Sequence, residues 1–133
     1  MRYMLLIYAN ETASAQRPPE ERQECMNHHF EFKEAATKAG VLRASDPLQP
    51  TATAATIRVQ NGKPIATDGP FAETKEQLGG YYILDCKDLD EAISWASKLQ
   101  SASKSGGSCI EIRPIMEIAQ RKDQLQQAVA QAV

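Results

Sequence analysis

The sequence predicts a single α+β domain in which two helices pack on one face of an antiparallel sheet. Three observations support this prediction. The chain has 133 residues, enough for one hydrophobic core and too few for two. Four core segments alternate like strands and two have helical spacing, in the order strand, helix, strand, strand, helix, strand. The first and third of these strands are apolar on both sides, which is typical of central strands.

Residues 1–8 form the first predicted strand. Its side chains alternate between two apolar sets, Tyr3, Leu5 and Ile7 on one face and Met4, Leu6 and Tyr8 on the other. A strand buried on both faces needs helices against one face and a second layer against the other. The apolar run is too short for a membrane span, and no small-residue cleavage site of a signal peptide follows it.

The first predicted helix follows a polar loop at residues 10–16. Pro18-Pro19-Glu20-Glu21 marks its start, because the first helical turn tolerates proline and favours acidic side chains. Gly40 ends it as a left-handed cap. One apolar stripe has helical spacing: Cys25, His29, Phe32, Ala36 and Ala39. His29 is therefore expected to face the sheet, and His28 to face water.

A short strand and a hairpin are predicted next. Residues 41–48 read as an irregular edge strand that Pro50 closes. Thr53 to Gln60 and Lys63 to Thr67 alternate on either side of Asn61-Gly62, the strongest two-residue hairpin turn. This hairpin is interpreted as an insertion between core strands.

The third core strand is predicted at Tyr81 to Asp85. Gly79-Gly80 opens it, and glycines in a strand allow another backbone or a ligand to approach closely. Asp88 is expected to cap the second helix. The period of that helix is predicted to run through Leu89, Ile93, Ala96 and then Leu99 or Gln100.

The last core strand is predicted at Cys109 to Met116. Ile110 and Ile112 are expected to point inward, whereas Glu111 and Arg113 lie on the opposite face. The Gln- and Ala-rich residues 119–133 are weakly amphipathic. They predict a helical tail after a domain of residues 1–118.

This order of elements is the ferredoxin-like βαββαβ plan with an inserted β-hairpin. Such a sheet has helices on one face only, and here the other face is also apolar. We therefore expect a homodimer in which two sheets pack face to face as a dimeric α/β-barrel.

Composition limits the classes of partner and compartment. Net charge is -2 and the Lys and Arg residues are scattered, so we expect neither nucleic acid nor a membrane as a partner. Cys25, Cys86 and Cys109 include no Cys-x-x-Cys pair, which favours a reducing cytoplasm over a disulfide framework. The sequence contains no phosphate loop or dinucleotide fingerprint, and no cofactor is predicted.

The stretch from Asp68 to Glu76 reads Asp-Gly-Pro-Phe-Ala-Glu-Thr-Lys-Glu. It combines turn residues with alternating charges, and it resembles the signature of the DGPFAETKE family within the YCII-related superfamily. The resemblance continues through Gln77 to Tyr82, residues 1–8 and Glu111 to Pro114, and covers nearly all of residues 1–117.

That resemblance implies a dimeric α+β barrel and a site that pairs a helix histidine with an aspartate. It also implies genes that often lie near, or are fused to, extracytoplasmic-function sigma factors. The superfamily is similar in fold to muconolactone isomerases and small lyases, so acid-base chemistry is expected by analogy. The resemblance implies no particular substrate.

His29 and Asp68 are the predicted catalytic pair. A carboxylate beside an inward imidazole would orient one ring nitrogen, raise the proton affinity of the ring and give a base near neutral pH. Two structural interpretations remain open. His29 can fill the seam between helix and sheet by bonding a backbone carbonyl, and Asp68 can serve only to cap its turn.

Arg113, Lys75 and Tyr82 are the predicted ligand-binding residues. Either cation could hold an acidic group, and the Tyr82 hydroxyl could line a pocket. Burial in the core is the ordinary role of such a tyrosine, and a solvated face that of the charges around Lys75. Cys25 and His29 would supply only two metal ligands, so no metal site is predicted.

Two functions are compatible with this sequence. The first is a lyase- or isomerase-like enzyme that acts on a small, anionic metabolite. The alternative is a non-enzymatic ligand-binding or regulatory module, such as a partner of a sigma factor. A cavity with His29 and Asp68 within hydrogen-bond reach would favour the enzyme, whereas a filled seam would favour the alternative.

Overall fold

The computed structural model describes residues 1–100 and 108–131. Its strands are β1 (Arg2–Ala9), β2 (Leu42–Pro47), β3 (Ala55–Gln60), β4 (Lys63–Asp68), β5 (Gln77–Asp85) and β6 (Cys109–Pro114). Its helices are α1 (Glu11–Ala15), α2 (Pro19–Lys38), α3 (Leu89–Gln100) and α4 (Ile118–Gln131), with a 3-10 turn at Thr51–Thr53. None of the described helices is long and apolar enough to cross a membrane.

The four core strands form one antiparallel sheet in the order β2-β5-β1-β6. The first strand is central, as its two apolar faces predicted. The hairpin β3–β4 forms a separate two-stranded sheet, and its turn residues Asn61 and Gly62 both have positive φ. The α+β, ferredoxin-like fold with an inserted hairpin is therefore confirmed.

The hydrophobic core lies between the sheet and the pair α2 and α3. Leu5 on β1 and Leu84 on β5 are fully buried at its centre. Phe32 of α2 packs edge-on against Tyr82 of β5 and Trp95 of α3, with ring centroids 4.9 and 5.8 Å apart. This aromatic cluster fixes α2 over the middle of the sheet.

Helix α1 was not predicted, since residues 10–16 read as a loop. Asn10 caps the helix, and its Oδ1 accepts a hydrogen bond of 2.9 Å from the backbone N–H of Ala13. The Glu11 carboxylate also accepts bonds from the N–H and hydroxyl of Thr51, at 2.9 and 2.8 Å. A five-residue helix is too short to show helical spacing of apolar residues in the sequence. Tertiary contacts with the segment just before β3 stabilise it instead.

The apolar face predicted for α3 is partly wrong. Its buried residues are Ala92, Ala96 and Leu99, whereas Leu89 and Ile93 are nearly half exposed. Small alanines allow α3 to approach the sheet closely, and this contact outweighs the larger area that the two exposed side chains could bury.

The third core strand begins at Gln77, two residues before the Gly79-Gly80 pair that was expected to open it. Its pairing with β1 continues past a bulge, so that Ile7 faces Gly80 and Tyr8 faces Leu78. A Cβ atom on Gly80 would lie 3.0 Å from the carbonyl oxygen of Asp46, whereas one on Gly79 would meet nothing closer than 3.8 Å.

Gly80→Ala should therefore destabilise the fold, and Gly79→Ala should not. At Gly80 the added methyl group meets the backbone of β2, and such overpacking costs about 1–3 kcal/mol. At Gly79 the free energy of unfolding should change by no more than about 0.5 kcal/mol. Urea denaturation of the two variants measures the difference, and equal midpoints would contradict the close approach of β2.

Apolar side chains on the sheet and on the hairpin are left uncovered by the part of the chain that the structure describes. Met4, Leu6 and Ile83 lie on the sheet face away from the helices and are only half buried. On the hairpin, Ile57 and Val59 share one face and are 70% and 73% exposed. The open sheet face is the one that the predicted homodimer would bury.

Candidate functional site

A cavity of about 400 Å³ lies between α2 and the sheet. Helix α2 forms one wall, and the ends of β1, β2 and β5 form the other. Most of the lining is apolar, with Ile7, Met26, Phe30 and Pro47 among its residues. The glycines at the start of β5 form part of the floor, as their position in the strand suggested.

His29 and Tyr82 form the polar centre of this cavity. The Nδ1 atom of His29 lies 2.8 Å from the Tyr82 hydroxyl oxygen, and the two ring planes are within 2° of parallel. Tyr82 itself is held by its edge-on contact with Phe32. His29 and Tyr82 both line the cavity, and their roles in catalysis and ligand binding stay predictions.

Both groups of this pair are neutral near pH 7. Burial, with a smaller contribution from the nearby His28, lowers the pKa of His29 below its ordinary value of 6.5. Burial, and then the adjacent Cys25, raises the pKa of Tyr82 to about 12. Because unfolding restores the higher pKa of His29, the neutral ring stabilises the fold above pH 6.5, and this contribution is lost as the pH falls through the lowered pKa.

The hydrogen bond between the pair has a preferred direction. A protonated phenol is the stronger donor, and an unprotonated imidazole nitrogen is a good acceptor. With Tyr82 donating to Nδ1, the proton of the neutral His29 ring resides on Nε2. No described protein group bonds Nε2, and His29 is one of the residues that line the cavity.

Two cations on α2 also line the cavity, and the sequence analysis missed them. Arg22 and Lys33 share the helix face of Met26 and His29. Neither forms an ion pair within the described part of the chain. Their spacing from His29, seven residues before it and four after it, was the signal that could have found them.

The predicted pairing of His29 with Asp68 does not form within the subunit. Asp68 is the exposed last residue of β4, and the separate hairpin sheet carries it away from α2. Its side chain has no hydrogen bond or ion pair among the described residues, and Tyr82 occupies the position by Nδ1 that Asp68 was expected to take. Its catalytic role stays a prediction.

Arg113 and Lys75 also lie outside the cavity. Arg113 faces Met4 across β1 and β6, on the side of the sheet away from α2. The strand alternation that correctly placed it there also separates it from His29. Lys75 is exposed in the loop between β4 and β5 and does not line the cavity.

His28 lies beside α3, whereas Cys25 lies in the cavity lining. His28 is partly exposed, as expected, but its Nε2 also lies 3.3 Å from the carbonyl oxygen of Lys98. The reason is that α3 packs beside α2 there. Cys25 lines the cavity with His29, and no group of three potential metal ligands lies together among the described residues.

Comparison with known proteins identifies the family. The YCII-related domain matches residues 1–119. The chain belongs to the YCII-related family. It is also 42% identical over 115 residues to an uncharacterized protein of Rhizobium meliloti (strain 1021), a match that covers 86% of this chain and 92% of the relative.

The YCII-related match includes every element of the cavity. Its residues 1–119 contain β1, α2, β2 and β5, and they end just after the start of α4. The His29–Tyr82 pair therefore lies within the YCII-related domain.

Proposed function

We propose that this YCII-related protein binds a small organic molecule in the cavity between α2 and the sheet. The observation that supports it most strongly is the hydrogen-bonded His29–Tyr82 pair in the lining of a mostly apolar cavity. A concave apolar pocket with a few converging polar groups is the usual form of a small-molecule site. Here the converging groups are the free Nε2 of His29 and the Tyr82 hydroxyl that bonds its Nδ1.

An acid-base enzyme, lyase- or isomerase-like, is the catalytic form of this proposal. A neutral imidazole can donate its N–H to a substrate oxygen and stabilise charge that develops there during reaction. Tyr82 would then take the orienting role first expected of Asp68. The burial that lowers the pKa of His29, together with the bond of its Nδ1 to the Tyr82 hydroxyl, favours this form.

A non-enzymatic ligand-binding module is the second candidate. Among the described residues no carboxylate bonds His29. The site therefore has no carboxylate positioned to exchange a proton with the imidazole, which favours binding over catalysis. The signature at residues 68–76 supports assignment to the DGPFAETKE group. Its association with sigma factors stays a prediction.

Filling the cavity should abolish ligand binding. Cys25→Trp places an indole in the space beside Tyr82 and should remove the saturation-transfer NMR signals of fragments that bind the wild-type protein. Ala35→Trp adds the same side chain to an exposed position of α2 outside the cavity lining, and should leave those signals unchanged. Fragments that bind both variants equally would contradict the proposed site.

We also propose that two copies pair through the open sheet face. Supporting this are the half-exposed Met4, Leu6 and Ile83 and the uncovered apolar face of the hairpin. A two-fold pairing would remove both surfaces from water in a closed assembly. Cytoplasmic location remains the expectation from the free cysteines.

A further inference from the structure

We infer that the ligand of this cavity is a small organic acid: an apolar body that carries one carboxylate or similar anionic group. The inference rests on the proposed function and specifies the chemical class of its ligand. It follows from the lining of the cavity and from the charges at its rim.

The cavity wall requires an apolar body. Ile7, Met26 and Phe30 present hydrocarbon and aromatic surface to the space, and Met26 and Phe30 are more than half exposed there. A polyanion or a sugar would lose its hydration against such a wall without compensating hydrogen bonds. An aromatic or branched aliphatic body would gain free energy from the same contact.

The charges on the lining favour one anionic group. Arg22 and Lys33 are cations without an ion-pair partner in the described part of the chain. The Asp46 carboxylate, an acidic group among the lining residues, accepts a bond of 2.7 Å from Tyr81. Both residues align with Leu6 in the sheet register, so their side chains point to the face away from α2.

The spacing along α2 matches the dimensions of a small molecule. Lys33 lies one helical turn from His29 and Arg22 lies two turns away, or about 6 and 10 Å along the axis. A molecule whose oxygen bonds Nε2 of His29 would therefore place an acidic group within reach of Lys33 or Arg22. A charged hydrogen bond to either side chain would hold that end.

Two matched probes isolate the charge. 1-Naphthylacetate has an apolar bicyclic body and a carboxylate, and 1-naphthylacetamide has the same body with a neutral amide. Calorimetric titration should show that wild-type protein binds the acid about tenfold more tightly, the effect of one charge-assisted hydrogen bond. Replacing both cations, Arg22→Gln with Lys33→Gln, should abolish this preference, so that the variant binds the acid no more tightly than the amide.

The outcomes separate this inference from the proposed function. Equal binding of the acid and the amide by the wild-type protein, or a preference that survives in the double variant, would overturn the ligand class alone. If neither probe binds, or if Cys25→Trp binds both as tightly as the wild type, the cavity is not the site and both proposals are wrong. Two results together support the ligand class and the proposed site. The double variant should lose the preference for the acid over the amide, and Cys25→Trp should bind neither probe.

Discussion

Phe32→Ala should lower the free energy of unfolding by about 3–5 kcal/mol, because truncating a buried aromatic ring removes its contacts and leaves a cavity. Phe32 is only 5% exposed and packs against both Tyr82 and Trp95. The variant should also weaken binding of 1-naphthylacetamide, since Tyr82 loses the ring that fixes it. Urea denaturation measures the first effect and calorimetry the second.

Phe30→Ala is the matched control on the same helix. Phe30 is 61% exposed and lines the cavity instead of the core. Its truncation should change stability by no more than about 0.5 kcal/mol but should still weaken binding of the probe. Similar losses of stability in the two variants would contradict the placement of the core between α2 and the sheet.

If two copies pair through the open sheet face as proposed, Leu6→Glu should leave the protein as a monomer. Leu6 is near the middle of the open sheet face, and pairing two sheets would bury the new carboxylate without a partner, at a cost of several kcal/mol. The dimer dissociation constant should rise by at least about a hundredfold. Analytical ultracentrifugation over a range of protein concentrations measures this change.

Ala35→Glu provides the control for that substitution. It adds the same charge to an exposed position of α2, on the opposite side of the sheet from Leu6. This variant should remain dimeric. A wild-type protein that sediments as a monomer at tens of micromolar, or dimers of Leu6→Glu as tight as those of the wild type, would contradict pairing through the open face.

Much of the fold could be predicted because local signals and tertiary packing agree. The two-faced apolar pattern of β1 and the Asn61-Gly62 turn each predict the structure that forms. Helix α1 and the buried face of α3 could not be predicted in the same way. Helix α1 is bonded to Thr51, and α3 packs through Ala92 and Ala96. Neither tertiary contact can be read from the spacing of apolar residues in the sequence.

The candidate site was only half predictable. Helical spacing placed His29 toward the sheet, but the residue beside it depends on which strands neighbour α2 in space. Tyr82 reaches Nδ1 because β5 pairs next to β1, whereas the hairpin removes Asp68 from this sheet. The constrained turn at residues 68–76 favoured Asp68 as the partner of His29. The helical spacing of Arg22, His29 and Lys33 along α2 was the better indicator of the cavity lining.

The most direct test of the site is the protonation of His29, followed by nitrogen NMR across a pH titration. The structure predicts that the ring titrates below pH 6.5, carries its proton on Nε2 when neutral, and changes its Nδ1 shift in Tyr82→Phe. A pKa above 6.5, as a carboxylate partner would produce, or a ring indifferent to Tyr82→Phe would contradict the pairing on which the proposed site depends.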